Sequence, residues 1–418
     1  MLSFFAHTSF AVCLLGIAGH CAAADPPPDG APLTLAAAVE QTLARNPDLQ
    51  SFTFRLRAQE ARGQVAALKP PLELSADIED AFGTGRTSGL DTAEATFSLS
   101  QVIELGNKRG YRLDAARAGV DLLEIERAAA QLDVLAEVTR RFIHVAEDQE
   151  QLRLTDGATQ LAEQTLAAAQ TRVAAARAPE VEMRRARIAL ARAQVDHEHA
   201  EHELLSSRRK LAAMWGDSTA AFGAVQADLY ALPAAGTFEE LVAKLDRNPD
   251  FVRFASEARL RDAEIRVAQS QARSNIAVTV GVKQLQQTDD QGFVFGVTVP
   301  LFNARRAAGA VAEATAQRGA TDAELAALRI RAEAQLFEVY QELRHAITEA
   351  GILRANVLPE MQAALEATRY AFERGRYSYL EWVDAQRELV EVERALIEAS
   401  ANAHLFRAEI ERLTGESL

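Results

Sequence analysis

Four short stretches of the chain alternate apolar and polar residues, which is the pattern of a β-strand with one apolar face and one polar face. Two of them lie within residues 72–104 and two within residues 275–302, and a turn-forming loop separates the members of each pair. This arrangement predicts two β-hairpins. The polar face of the first strand is acidic, with Glu73, Asp77 and Glu79 at alternating positions.

Long helical patterns follow the hairpins, over residues 107–214 and 304–415. Their apolar positions are often Ala, so neighbouring helices can approach closely, and helices well beyond about 25 residues are typical of coiled coils and tubes. Each pattern predicts a long helical hairpin. We place the two reversals at the loop-like segments RLTDG and RANVLP. These segments contain Arg153, Leu154, Thr155, Arg354 and Asn356.

The chain contains an internal duplication. The segment LARNPDLQSF, which includes Asn46, returns as LDRNPDFVRF, which includes Asn248. The segment RVAAARAPEVEMRRA aligns with AFERGRYSYLEWVDA at a similar offset. Because similar offsets recur at distant points, we predict two repeats, over residues 25–236 and 237–418, the first of which ends in a connector over residues 215–236.

The first 24 residues predict a secretory signal. An apolar run is followed by small residues that end at Ala24, which is the arrangement of a signal with its cleavage site. The run is shorter than the roughly 20 residues that a transmembrane helix needs. Both cysteines, Cys13 and Cys21, lie in this segment. Cleavage would therefore leave a mature chain without a disulfide or a thiolate metal site.

The chain is strongly acidic, with a formal net charge of −14. Nucleic-acid binding requires a basic surface, so this charge argues against DNA or RNA as a partner. An acidic balance is compatible with the handling of cations and equally with an ordinary solvated surface. Beyond the predicted signal no stretch approaches 18 consecutive apolar residues, and no transmembrane helix is predicted there.

The strands have two interpretations. An alternation over about 9 to 11 residues is what a transmembrane β-barrel strand shows, and the half-buried sheet of a soluble protein gives the same pattern. The predicted helices are far too long to cover so small a sheet, which favours the barrel. Four strands cannot close a barrel alone, since the smallest outer-membrane barrels have about eight. Several copies would have to contribute strands.

Three motifs carry a family resemblance: ELGNKR at residues 104–109, VPLFNARR at residues 299–306 and GRYSYLEWVDAQREL at residues 375–389. They resemble the TolC family of outer-membrane efflux proteins. The first is similar to a signature of its heavy-metal (cobalt-zinc-cadmium) branch, the second to the turn of its second repeat and the third to a family helix. The resemblance covers essentially the whole mature chain. It implies a mainly α fold with a small membrane β-barrel portion. Strand-to-helix junctions would then lie at Gly106, Arg109 and Pro300.

The same resemblance implies an assembly and a location. In that family a homotrimer pools four strands per subunit into a 12-stranded barrel in outer-membrane lipid, and the helices continue it as a periplasmic tunnel. The chain would be a passive exit duct for heavy-metal cations in a tripartite RND-type system, without a cofactor. Its hairpin tips would contact a periplasmic adaptor that leads to the inner-membrane pump. The five loop-like residues above are assigned to that contact by position alone.

Candidate chemistry is confined to the segment VDHEHAEHE, which contains His197, His199 and His202. On a helix His199 and His202 share a face, whereas His197 points roughly opposite to His199. These residues form either a weak metal site, which could lie between neighbouring subunits, or a solvent-exposed helix face that binds no metal. No nucleophile, phosphate-binding or metalloenzyme motif accompanies them, so we do not expect an enzyme.

Two alternatives to the metal duct remain from the sequence. The chain could be a periplasmic coiled-coil scaffold or adaptor whose hairpins form a soluble sheet without a membrane barrel, or a duct that exports drugs. The aromatic residues Phe97, Phe293 and Phe295 on the apolar strand face separate the first of these from a duct. Only a membrane barrel leaves such residues uncovered by protein.

Overall fold

The computed structural model describes residues 30–416, so the predicted signal at residues 1–24 lies outside the described residues. The first half contains α1 (Leu35–Arg45), α2 (Pro47–Ala66), β1 (Leu72–Glu79), β2 (Glu94–Ile103), α3 (Lys108–Ala174) and α4 (Glu180–Ala212). The second half contains α5 (Phe238–Val242), α6 (Pro249–Ser270), β3 (Ile276–Leu285), β4 (Asp290–Thr298), α7 (Asn303–Ile352), α8 (Leu358–Glu373) and α9 (Tyr379–Thr414). The predicted class, mainly α with a small sheet, is confirmed.

The four strands form one antiparallel sheet in the order β1-β2-β3-β4. Leu74 lies opposite Leu99, which lies opposite Val280, and Val280 lies opposite Phe295. Because side chains alternate along each strand, this register places the charged and hydroxyl side chains of the four strands on one face and most of the large apolar side chains on the other. The two hairpins, far apart in sequence, meet through β2 and β3.

The helical hairpins reverse at other places than we predicted. Helix α3 runs without a break through Arg153, Leu154 and Thr155, and the chain turns only at residues 175–179. In the second half a π-helical turn (Leu353–Val357), which contains Arg354 and Asn356, joins α7 to α8, and the chain turns at residues 374–378. Both predicted reversals were therefore wrong by about twenty residues.

The physical reason lies in the residues that a helix tolerates. The single glycine of RLTDG, Gly157, only weakens a helix, and Pro359 sits in the first turn of α8, where a missing N–H costs nothing. The true turns have stronger signals. Ala176 has φ 54° and Gly375 has φ 71°, both left-handed, and Ser378 then begins α9 with a capping box.

The duplicated Arg-Asn-Pro-Asp segments play the same structural role in both halves. The Asn46 side chain caps α2 and donates to the carbonyl oxygen of Met214 at 2.8 Å. The Asn248 side chain caps α6 and donates to the carbonyl oxygen of Arg412 at 2.7 Å. Each buried Asn therefore ties the start of one helix to the end of the long helical hairpin of its own repeat.

The helices form two groups, one next to the sheet and one farther from it, and each group is four helices wide. The order is α2-α3-α6-α7 in the first group and α4-α3-α9-α8 in the second, and the long helix α3 belongs to both. The largest buried clusters lie where the two groups of helices meet, around Leu211 and Trp215 in one half and around Leu336 and Leu343 in the other. No helix within residues 30–416 has the length and apolar character needed to cross a membrane.

Candidate functional site

The polar face of the sheet is lined by carboxylates and hydroxyls. The side-chain oxygens of Ser75 and Ser98 lie 2.7 Å apart, and the Thr279 hydroxyl donates to Ser100 at 3.2 Å. The acids on this face are Glu73, Asp77, Glu79, Glu94 and Asp290. The Lys283 ammonium pairs with Glu94 and lies 3.5 Å from Glu79. With five carboxylates and one ammonium, this face attracts cations.

The apolar face of the sheet is uncovered. Phe97 is 62% exposed, Phe293 is 81% exposed and Phe295 is 78% exposed. Within the described part of the chain no helix packs on this face. A soluble protein would bury such a surface, because large exposed apolar patches mark interaction or membrane sites. The exposure of these three residues is what we predicted for a membrane-facing strand.

The first strand-to-helix junction depends on Gly106. Its φ is +77°, and a Cβ placed there would lie 2.7 Å from the Arg273 side chain, so glycine is required both by conformation and by space. Asn107 follows with φ 55° and begins α3. At the second junction Phe302 is left-handed with φ 65°, and the carbonyl oxygen of Pro300 accepts from Ser274 at 2.6 Å. Both predicted junctions are where the strands end.

An ion pair that we did not predict secures the first junction. The Arg112 guanidinium donates to both Glu104 carboxylate oxygens, at 2.6 and 2.9 Å. These hydrogen bonds lower the pKa of Glu104, and neighbouring positive charges add to the effect. Lys108 is only 4% exposed and donates to Asn275 at 2.7 Å, and its burial lowers its pKa. Arg109, the residue that we had selected, is exposed.

The lowered pKa of Glu104 predicts that the stability of the fold depends on pH. A carboxyl whose pKa is lower in the folded state stabilises the fold above its unfolded pKa of about 4.3, and this contribution is lost as the pH falls through the folded value. We expect Glu104→Gln to lower the free energy of unfolding by about 1.5–3 kcal/mol at pH 7. The loss should become smaller as the pH falls below about 4.3 and the carboxyl of the folded protein takes up its proton.

Thermal unfolding at pH 7 and pH 3 checks this prediction, with Arg109→Gln as the matched control. Arg109 lies in the first turn of α3 and is exposed, and its charge is the smallest of the causes that lower the pKa of Glu104, so its replacement should change stability by no more than about 0.5 kcal/mol. A Glu104→Gln variant that is as stable as the wild-type protein at pH 7 would show that the ion pair contributes nothing to the junction.

The three histidines do not meet within one chain. His197 faces α3, where its Nδ1 lies 3.3 Å from the Thr155 hydroxyl oxygen, and its Nε2 lies 3.7 Å from Glu201. His199 and His202 are exposed. Among residues 30–416 no group of three or more His, Cys, Asp or Glu side chains could hold a metal ion. A metal site shared between subunits stays a prediction.

The five residues assigned to adaptor contact lie away from the ends of the helical hairpins. Arg354 donates to the carbonyl oxygen of Tyr230 in the connector at 2.9 Å, and Arg153 lines one cavity with Tyr230 and Arg354. The structure therefore brings Arg153 and Arg354 to one place, but Leu154 is buried mid-helix and Asn356 lies in the π-helical turn. We had placed these five residues at the tips of the helical hairpins, and that placement was wrong.

The real ends of the two helical hairpins are joined by an aromatic cluster. The Phe372 ring is 1% exposed and stacks on Trp382 with centroids 4.6 Å apart. The Arg172 guanidinium lies 4.3 Å from the Phe372 ring centroid and donates to the Phe372 carbonyl oxygen at 3.1 Å. Because Arg172 belongs to α3 and Phe372 to α8, this contact links the first hairpin to the second.

Comparisons with known proteins agree with this architecture. The family described as "Outer membrane efflux protein" matches residues 38–217 and 241–416. The cobalt-zinc-cadmium resistance protein CzcC of Cupriavidus metallidurans is 29% identical over 92% of this chain and 90% of its own length. The nickel-cobalt-cadmium resistance protein NccC of Alcaligenes xylosoxydans xylosoxydans is 24% identical over 77% of this chain and 71% of its own. A membrane protein structure from Pseudomonas aeruginosa, 20% identical, shares the fold with a TM-score of 0.76 over 93% of both chains.

Proposed function

Because this chain belongs to the outer membrane efflux protein family, we propose that three copies of it form one passive exit duct through the outer membrane. Each copy supplies four strands to a 12-stranded barrel, and the helices continue the barrel into the periplasm as a tunnel. A closed barrel pairs every strand edge, which an isolated four-stranded sheet cannot do in lipid.

One observation carries this proposal: the four-stranded sheet has an uncovered apolar face and an acidic face. An apolar-out and polar-in alternation is what a water-filled barrel requires, and Phe293 and Phe295 are among the most exposed large apolar side chains. Helices α2 and α6 lead into β1 and β3, and helices α3 and α7 follow β2 and β4. Because the strands are antiparallel, all four connections lie at one end of the sheet, and that end of the barrel would open into the tunnel.

The substrate that we propose is a heavy-metal cation. Two relatives are resistance proteins for cobalt, zinc, nickel and cadmium, and the carboxylates of the polar strand face favour cations over anions. Rings of carboxylates select charge rather than element, so the proposal covers divalent transition metals as a class. Energy for export would come from an inner-membrane RND pump, reached through a periplasmic adaptor.

The adaptor contact that we propose now lies at the true ends of the helical hairpins, over residues 175–179 and 374–378. These turns are mostly exposed, and each joins the two arms of its helical hairpin. The predicted contacts at Arg153 and Arg354 would instead lie beside the connector.

Two measurements test the duct and its substrate separately. Membrane fractionation with detergent extraction and mass determination should find a trimer only in the outer membrane. Deletion of the gene in the native host should then lower the tolerated concentrations of Co²⁺, Zn²⁺ or Cd²⁺ and leave tolerance of a neutral drug unchanged. A soluble periplasmic dimer would overturn the duct, and sensitivity to the drug alone would overturn only the metal substrate.

A further inference from the structure

A half-open recess lies among the helices close to the turns of the two helical hairpins. Helix α3 forms its floor, and α4 and α9 form its two sides. Its volume is about 530 Å³, which is in the range of sites that bind small organic molecules. All the residues that line it belong to these three helices. The recess is therefore separate from the strand faces and the junctions described above.

The recess opens on the side of α3 that faces away from the connector. The backbone N–H of Val225 in the connector donates to the Gln149 side chain of α3 at 2.7 Å. Ala158 lines the recess nine residues farther along α3, which is about two and a half helical turns and hence the opposite face of the helix. A ligand could enter the recess without displacing the connector.

Four arginines stand on the two sides of the recess. Arg185 and Arg192 lie seven residues apart on α4, and Arg387 and Arg394 lie seven residues apart on α9. Because seven residues are close to two turns, the members of each pair lie on the same face of their helix. The acid among the lining residues is Asp196. Positive charge therefore predominates in this recess, although the chain as a whole has a net charge of −14.

Most of these arginines are not engaged by acids of the chain. Arg387 pairs with Asp384 at 2.7 Å. In the part of the chain that the structure describes, Arg185, Arg192 and Arg394 form neither an ion pair nor a side-chain hydrogen bond. A guanidinium group binds carboxylates and phosphates through two parallel hydrogen bonds. The unpaired arginines are thus available to an acidic ligand.

A buried hydroxyl without a partner lies in the same recess. The Tyr379 side chain lines the recess and is 3% exposed, and among residues 30–416 its hydroxyl has no hydrogen-bond partner. Burial raises the pKa of this hydroxyl, so it keeps its proton at neutral pH and can donate. A buried polar group without a partner costs free energy. A ligand atom that accepts from Tyr379 would remove this cost.

Apolar side chains line the rest of the recess. They are contributed by all three helices and include Leu161 on α3, Ile188 on α4, and Val383 and Val390 on α9. An apolar lining with a few polar groups at fixed points is the usual construction of a small-molecule site. The apolar lining suits the body of a ligand, and the arginines suit an acidic headgroup.

We propose that this recess binds a small anionic amphiphile, a molecule that carries a carboxylate or phosphate group on an apolar chain. The headgroup accepts hydrogen bonds from the arginines and from the Tyr379 hydroxyl, and the apolar chain lies along α3. Arginines repel divalent cations, so this ligand is a different molecule from the proposed metal cargo. Residues of a single chain build the site, and the inference does not rest on the proposed duct.

Calorimetric titration of the purified full chain in a non-ionic detergent tests the ligand class. The probes are octyl phosphate and octanoate, with neutral octanol and cationic octylammonium as references of the same chain length. We expect at least one acid to bind about tenfold more tightly than octanol, because hydrogen bonds to a charged group contribute that much. The ratio between the two acids distinguishes phosphate from carboxylate. If octanol or octylammonium binds as tightly as both acids, the proposal is overturned.

Two sets of variants locate the binding in the recess. The double variant Arg192→Gln and Arg394→Gln should weaken the tighter acid by about tenfold or more. Tyr379→Phe keeps the buried ring and should weaken it by about threefold to tenfold. The matched control is Arg184→Gln with Arg187→Gln, which removes the same charge from exposed positions of α4 outside the recess. It should leave the affinity unchanged, and equal affinities for the two double variants would show that the recess is not the site.

Discussion

Phe295→Arg is expected to remove most of the trimer from the outer membrane. Phe295 lies in the middle of β4, is 78% exposed and lies opposite Val280 on the apolar face. An Arg on the lipid face of a barrel strand costs about 2–4 kcal/mol near the bilayer midplane. A trimer would bear that cost three times, once in each copy.

Val294→Arg is the matched control for this prediction. Val294 is the preceding residue of the same strand, points to the polar face and lies opposite Gly281. The same side chain is introduced one residue away, so strand propensity and size are nearly constant while the face changes. The measurement is the amount of heat-sensitive trimer in the outer-membrane fraction. Equal amounts for the two variants would mean that this face does not contact lipid.

Phe372→Ala is expected to loosen the ends of the two helical hairpins. Removal of a buried Phe side chain costs about 3–5 kcal/mol, because it leaves a cavity as well as losing apolar burial. Here it also removes the ring over which the Arg172 guanidinium lies, a contact of about 0.5–2 kcal/mol. The loss of stability is expected to be confined to the ends of the hairpins, because the sheet and its junctions do not contact this cluster.

Hydrogen exchange and thermal unfolding measure this effect together. We expect faster exchange of backbone amides over residues 165–190 and 365–390, with exchange in the strands unchanged, and a lower midpoint of unfolding. Tyr377→Ala is the matched control, since Tyr377 is an exposed aromatic residue in the same turn region, and it should change stability by no more than about 0.5 kcal/mol. Similar exchange in the two variants would contradict a structural role for the cluster.

Strands, junctions and family were readable from the sequence because each has a short local signature. The alternation at residues 72–79 appears as β1 with its apolar residues on one face. Gly106 and Pro300 stand where strands end and helices begin. The family resemblance carried by ELGNKR and VPLFNARR is confirmed by the family match over both halves of the chain.

The second reversal had local signals that we missed, namely Gly375 and the capping box that begins at Ser378. The first reversal and the side-chain partners could not be predicted from the sequence, because they depend on residues far apart in the chain. A helix rich in Ala, Glu and Arg has no local break at Gly157 or Pro359, so its end depends on which neighbour it packs against. The partner of Lys108, Asn275, is 167 residues away. Nothing near the VDHEHAEHE segment shows that His197 turns inward to Thr155 while His199 and His202 stay in solvent.

Local patterns in the sequence were enough to identify the four strands, the presence of long helices and the two faces of the sheet, since periodicity acts over a few positions. Which helices are neighbours and which elements lie at the edges of the sheet follow only from the tertiary structure. Those features follow from contacts between residues far apart in the chain, such as the hydrogen bonds from Asn46 to Met214 and from Asn248 to Arg412, which no local pattern reveals.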